Sequence, residues 1–181
     1  MIAELLAAVS LAAPAPPVVR LGDHVAVQGT AILCTVVDIA QHRELGCGLF
    51  DAKGPIPASY GIVADDEFAI VSRYDAKRRP QLVARQPQPS VPGPPIVRVV
   101  RKIGPARTLL VRAGGAFAIE GNRMRCLVAG TQRILVCYEP AANGNPATGS
   151  YELGIGPATV QLAQAQANGN SKLLLVRAHG V

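Results

Sequence analysis

The chain has 181 residues, with 18 Lys and Arg against 12 Asp and Glu, and 49% of its residues are apolar. That much apolar mass excludes disorder over most of the length, and no apolar run reaches the roughly 18 residues of a membrane-spanning helix. The length admits one domain or two small ones, and an aromatic content of 4% with no Trp leaves little surface for stacking nucleobases.

The first segment, 1–17, reads as a signal peptide or a short N-terminal helix. Its apolar run Leu5–Ala13 has the length of a signal-peptide core, and Ser10-Leu11-Ala12 offers the small-x-small pattern that a signal peptidase cuts. Against this, Glu4 stands where a positive charge is usual, and no Lys or Arg precedes the run.

From residue 18 onward the chain repeats itself. The phrase Val19-Arg20-Leu21-Gly22, the alternation Val25-x-Val27 and Gly29 return 92 residues later as Val111-Arg112-Ala113-Gly114, Phe117-x-Ile119 and Gly121. Cys34 and Cys47 return as Cys126 and Cys137, Ser59-Tyr60 as Ser150-Tyr151, and Leu82–Arg85 matches Leu174–Arg177 at an offset of 92. Self-similarity in this order predicts two copies of one unit, 18–85 and 108–181. Within each copy the apolar residues alternate, as in Ile32-x-Cys34-x-Val36 and Met124-x-Cys126-x-Val128. A period of two is that of half-buried strands. Clusters of Gly, Pro, Asn and Asp punctuate the runs at 51–57, 65–66, 143–149 and 168–170. The fold class expected is all-β, two tandem duplicated small sandwich-like or barrel-like units. They either pack on each other with pseudo-twofold symmetry or stand apart.

Between the copies, 86–107 reads as a basic, Pro-rich linker, extended and largely unpaired at its start because proline lacks an amide donor. Ile96–Arg101 reads as a strand. Ten of the 18 cations lie between Arg73 and Arg112, against one acid. Lys77, Arg78, Arg79, Arg98, Arg101 and Lys102 are therefore candidates for binding an anionic polymer, nucleic acid or acidic glycan. The bland alternative is a solvated linker flanked by strands whose edges the cations protect. The chain closes on Leu173–Val181, a phrase that either completes the second unit or begins a truncated third.

The cysteines fix a register. If Cys34 faces Cys47 across a hairpin, the turn centres between Ala40 and Gln41. If Cys126 faces Cys137, it centres between Thr131 and Gln132. The second hairpin is shorter by one residue in each arm, which preserves both pairing and face. Residues directly opposite in antiparallel strands lie close enough for a disulfide. The sequence thus predicts Cys34–Cys47 and Cys126–Cys137, with four reduced core cysteines as the alternative.

No motif names a reaction. Gly-x-Ser-x-Gly is absent, the three histidines His24, His42 and His179 lack metal spacing, and no cofactor or metal is called for. Asp65-Asp66-Glu67 could offer oxygen ligands to calcium, although a polar turn suits it better. Tyr60 and Tyr151, repeated at equivalent places, are candidate surface residues, or structural tyrosines that bury a ring and bond through the hydroxyl. The sequence predicts a non-enzymatic structural or interaction protein, secreted, periplasmic or at the cell surface, that binds a protein partner or assembles with itself. The alternatives are an anionic-polymer module acting through 73–112, a hydrolase with a site between the repeats, and, with reduced cysteines, a cytoplasmic protein.

Overall fold

The computed structural model describes residues 15–39, 42–89 and 104–180. Among these there are only strands and turns. The first-half strands are β1 (Val18–Val19), β2 (His24–Val27), β3 (Ile32–Ile39), β4 (His42–Asp51), β5 (Gly54–Pro55), β6 (Tyr60–Ala64), β7 (Phe68–Tyr74) and β8 (Pro80–Pro87). The second half supplies β9 (Thr108–Val111), β10 (Ala116–Ile119), β11 (Arg125–Ala129), β12 (Ile134–Tyr138), β13 (Tyr151–Ile155), β14 (Thr159–Ala165) and β15 (Ser171–Ala178). The N-terminal segment expected to be a signal peptide or helix lies outside the described residues up to 14, as does the expected strand Ile96–Arg101.

The strands form two sheets, and the alternation seen in the sequence decides which side of each is buried. Val25, Val27, Ile32, Cys34 and Val36 turn inward from one sheet, and Phe117, Ile119, Met124, Cys126 and Val128 from the other, each at most 3% exposed. Their neighbours along the strand face out, as the two-residue period requires. The two inward faces belong to one hydrophobic cluster, so the halves pack against each other and do not stand apart.

Most of each sheet is an antiparallel meander, β2-β3-β4-β6-β7-β8 in one and β10-β11-β12-β13-β14-β15 in the other, while β5 pairs beside β4. The first strand of each half leaves this order. β1 lies parallel to β10, in the sheet of the second half, and β9 lies parallel to β2, in the sheet of the first. The two exchanges share one register: Val18 faces Ala118 and Val19 faces Ile119, while Leu110 faces Ala26 and Val111 faces Val27. Each partner pair stands 92 residues from its counterpart. The N–H of Glu120 donates to the Val19 carbonyl at 2.8 Å, and the N–H of Gln28 to the Val111 carbonyl at 2.9 Å.

Further along, the offset that superposes the halves is 91. A bulge falls between Val71 and Ser72 in one sheet and between Leu162 and Ala163 in the other. The turns after β7 and β14 close through equivalent bonds, Asp75 N–H to the Arg79 carbonyl and Gln166 N–H to the Asn170 carbonyl. Leu82 therefore corresponds to Leu173, which corrects the one-residue-longer match of Leu82–Arg85 to Leu174–Arg177. The leucine-rich run of β15 looks alike at either spacing, and only the turn length decides between them. The expected unpaired start of the linker is also corrected, since Gln86 and Pro87 end β8 opposite Ala69 and Phe68. Residues 173–178 of the chain-terminal phrase lie in β15, which pairs along β14 in the second sheet.

Both disulfides form as the register predicts. Cys34 faces Cys47 and Cys126 faces Cys137, with Cα atoms 4.0 and 4.1 Å apart. All four half-cystines are buried. They close loops of 13 and 11 residues, each of which the chain-entropy model values at about 3 kcal/mol. Replacing Cys34 and Cys47 together by Ala is expected to lower the unfolding free energy by about 3 kcal/mol, read from guanidinium unfolding of the purified protein. A loss below about 0.5 kcal/mol would show that the unfolded chain is already constrained there.

Candidate functional site

Beyond the exchanged strands, the two halves hold each other at two further places. The first is the hairpin ends. Arg43, at the start of β4, donates from Nη1 to the Glu120 carbonyl at 3.4 Å, and Asn122 Nδ2 returns a bond to the Arg43 carbonyl at 2.6 Å. On the other side, Arg133 Nη1 donates to the Gly29 carbonyl at 2.9 Å. Gly29 has φ +72°, and its α-hydrogen faces the Arg133 guanidinium, where any Cβ would collide with it.

The second place is the end of each half. The backbone N–H of Tyr60 donates to His179 Nδ1 at 3.0 Å, and that of Tyr151 donates to Gln88 Oε1 at 2.8 Å. His179 stands 91 residues after Gln88, as Tyr151 does after Tyr60, so an imidazole and an amide do one job at equivalent positions. Both tyrosine rings pack against the core. The Tyr60 ring also lies 6.1 Å from that of His179, tilted at 49°.

Charged groups collect around the first of these junctions. His42 Nδ1 lies 3.4 Å from Glu67, Arg43 lies 3.7 Å from Asp38, and Arg123 lies 3.7 Å from Glu139. Glu139 is 2% exposed, and its Oε2 is buried without a hydrogen-bond partner among the described residues. Burial pushes its pKa up and nearby Asp66 adds to this, against the pull of Arg123. Burial likewise raises Glu44, with Asp65 adding to it. The Asp65-Asp66-Glu67 run is a turn, in which Asp65 Oδ1 accepts the N–H groups of Glu67 and Phe68 at 2.6 and 2.5 Å. No group of three or more His, Cys, Asp or Glu suited to a metal ion occurs among the described residues.

The basic segment is largely paired where it is described. Arg78 donates through Nη1 and Nη2 to Asp51 at 2.7 and 3.1 Å and also reaches the Gly54 and Pro55 carbonyls. Arg78 and the Lys53 N–H hold the Asp51 carboxyl down to about 2. Arg79 grips Asp75 from Nε and Nη2, and Arg85 lies 3.7 Å over the Phe68 ring. Lys77 sits at the exposed turn between β7 and β8. Arg98, Arg101 and Lys102 lie outside the described residues. The structure thus brings Lys77, Arg78 and Arg79 together on one turn, with two of their charges committed to carboxylates.

Two grooves flank the exchanged strands. One, of about 190 Å³, is lined by Val18, Val19, Asp23, Arg107 and their neighbours. The other, of about 460 Å³, is lined by Pro16, Pro17, Leu110, Arg112, Gly115 and Arg125 among others. None of the three histidines borders either groove. At the far side of each sheet, the outer strands β8 and β15 have one edge unpaired among the described residues and expose Leu82, Val83, Leu173, Leu174 and Val176. The grooves were not legible in the sequence, because they depend on which strand ends beside which. Comparison with protein families, curated proteins and solved structures finds no match to this chain.

The His179 contact has a pH signature. Nδ1 accepts from Tyr60 and Nε2 lies 3.0 Å from the Gly156 carbonyl, so a second ring proton would point at an N–H. Burial lowers the His179 pKa from its ordinary 6.5, against the Gly156 bond. Between the lowered value and 6.5 the unfolded chain holds the extra proton, so stability falls as pH drops through that window. His179→Gln copies Gln88. The thermal midpoint of the natural protein, relative to this variant, is expected to fall between about pH 7 and about pH 5. A constant difference would remove His179 as the titrating group.

Proposed function

We propose that this chain is an exported, non-enzymatic interaction protein, built from two β units related by duplication (18–85 and 108–181). It binds a protein partner or assembles with itself through its β surfaces. Two disulfides are typical of an oxidising, extracellular compartment. The observation that carries the interaction reading is the pair of outer strands. Among the described residues, β8 and β15 each leave a row of backbone N–H and C=O groups without a neighbouring strand. They also expose large side chains, with Leu82 at 66% and Leu173 at 55%. Such edges accept an added strand, the backbone giving affinity and the side chains selectivity. Their equivalence across the halves supports the duplication, since Leu82 and Leu173 occupy matching places beside matching bulges.

The test is sedimentation velocity on the full-length protein from about 10 to about 500 µM, with extracellular protein from the native host added in parallel. The natural chain is expected to associate. Leu82→Lys with Leu173→Lys should abolish association while moving the unfolding free energy by less than about 0.5 kcal/mol, because both side chains are exposed. A natural chain that stays monomeric and binds nothing in the extract removes the proposal. Retention on heparin that falls steeply with salt would favour the anionic-polymer alternative.

A further inference from the structure

The two grooves beside the exchanged strands are counterparts of each other. Val18 and Val19 line the smaller and Leu110 and Val111 the larger, and each pair lies 92 residues from the other. The turns that floor them close through equivalent bonds, Asp23 N–H to the Arg20 carbonyl at 2.9 Å and Gly115 N–H to the Arg112 carbonyl at 2.8 Å.

Their contents differ at the polar centre. In the smaller groove Asp23, 5% exposed, puts a carboxylate under the turn. Its Oδ2 accepts the Arg20 N–H at 3.0 Å and Arg107 Nη2 at 3.0 Å, and its Oδ1 accepts the Arg107 N–H at 3.2 Å. In the larger groove Gly115 stands in place of Asp23 and Ala15 in place of Arg107. The carboxylate and its guanidinium are both missing there, and the space is more than twice as large. Positive charge returns from another direction. Arg125 occupies the place of Leu33, and it lines the groove together with Arg112. Neither has a carboxylate partner among the described residues.

We propose that the larger groove binds a small aliphatic carboxylate. The ligand's carboxylate takes the position that Asp23 fills in the counterpart, between the Arg112 N–H and the guanidinium groups of Arg112 and Arg125. Its apolar body lies along Pro16, Pro17 and Leu110. Charge-assisted bonds to arginine supply the orientation, and the apolar wall supplies most of the contact area. The volume falls within the range of small-molecule sites.

The probe is decanoate, added to the full-length protein and followed by ¹H–¹⁵N NMR. Saturable shifts centred on Arg112, Gly115 and Arg125 are expected, with a Kd of about 1 mM or tighter for a ligand of this size. Arg125→Gln should weaken binding about tenfold. Gly115→Asp, which supplies the carboxylate from within, should abolish it. The glycine is closely packed, with its missing Cβ directed 2.9 Å from the Arg112 carbonyl, so Arg125→Gln stands as the independent variant. Decanol binding as tightly as decanoate would overturn the proposal, as would an unchanged affinity in Arg125→Gln. A short leucine-rich peptide with a free C-terminus that outcompetes decanoate tenfold would overturn the assignment to a small molecule.

Discussion

Everything in this fold depends on the exchange of two short strands. β1 and β9 are each the first strand of a half, and each completes the sheet of the other. Parallel neighbours cannot be joined by a tight turn, so the exchange couples positions distant in the chain. Arg43 with Asn122, Arg133 with Gly29, Gln88 with Tyr151 and His179 with Tyr60 then close over the same boundary. The bonds to Gln88 and His179 recur in equivalent places with different side chains. The geometry is alike at the two places while the side chains differ.

That difference in side chains sets one limit on what the amino-acid sequence reveals. Core alternation was plain, because burial on one face demands a period of two. The disulfide pairing was plain because a hairpin shortened by one residue per arm keeps its face. The exchange was hidden. β1 is two residues long, and a parallel pairing has no turn residues to announce it. The Arg78–Asp51 clamp was hidden because its partners meet across a sheet, so the commitment of the Arg78 charge to a carboxylate left no trace in the local sequence. Gln88 and His179 escaped notice because repeat matching finds identical residues, whereas these share only the ability to accept one hydrogen bond.

The outer strands show two opposing demands on one surface. Pro80 and Pro87 bracket β8, and Lys172 and Arg177 lie near the ends of β15. Prolines and cations at edges discourage indiscriminate pairing. Between them the leucines remain exposed. Guarded ends with an open apolar middle favour a short partner strand of defined length over an unlimited sheet.

The burial of the cystines gives the molecule a kind of redox deafness. Thiol–disulfide exchange needs a thiolate to reach a sulfur along its bond axis, and here all four sulfurs belong to half-cystines at most 2% exposed. A reductant in solution meets no target until the sandwich opens. The rate of reduction then scales with the fraction of molecules in which the fold has opened. A molecule folded once under oxidising conditions would carry its crosslinks through a reducing interval, as a record of where it was made.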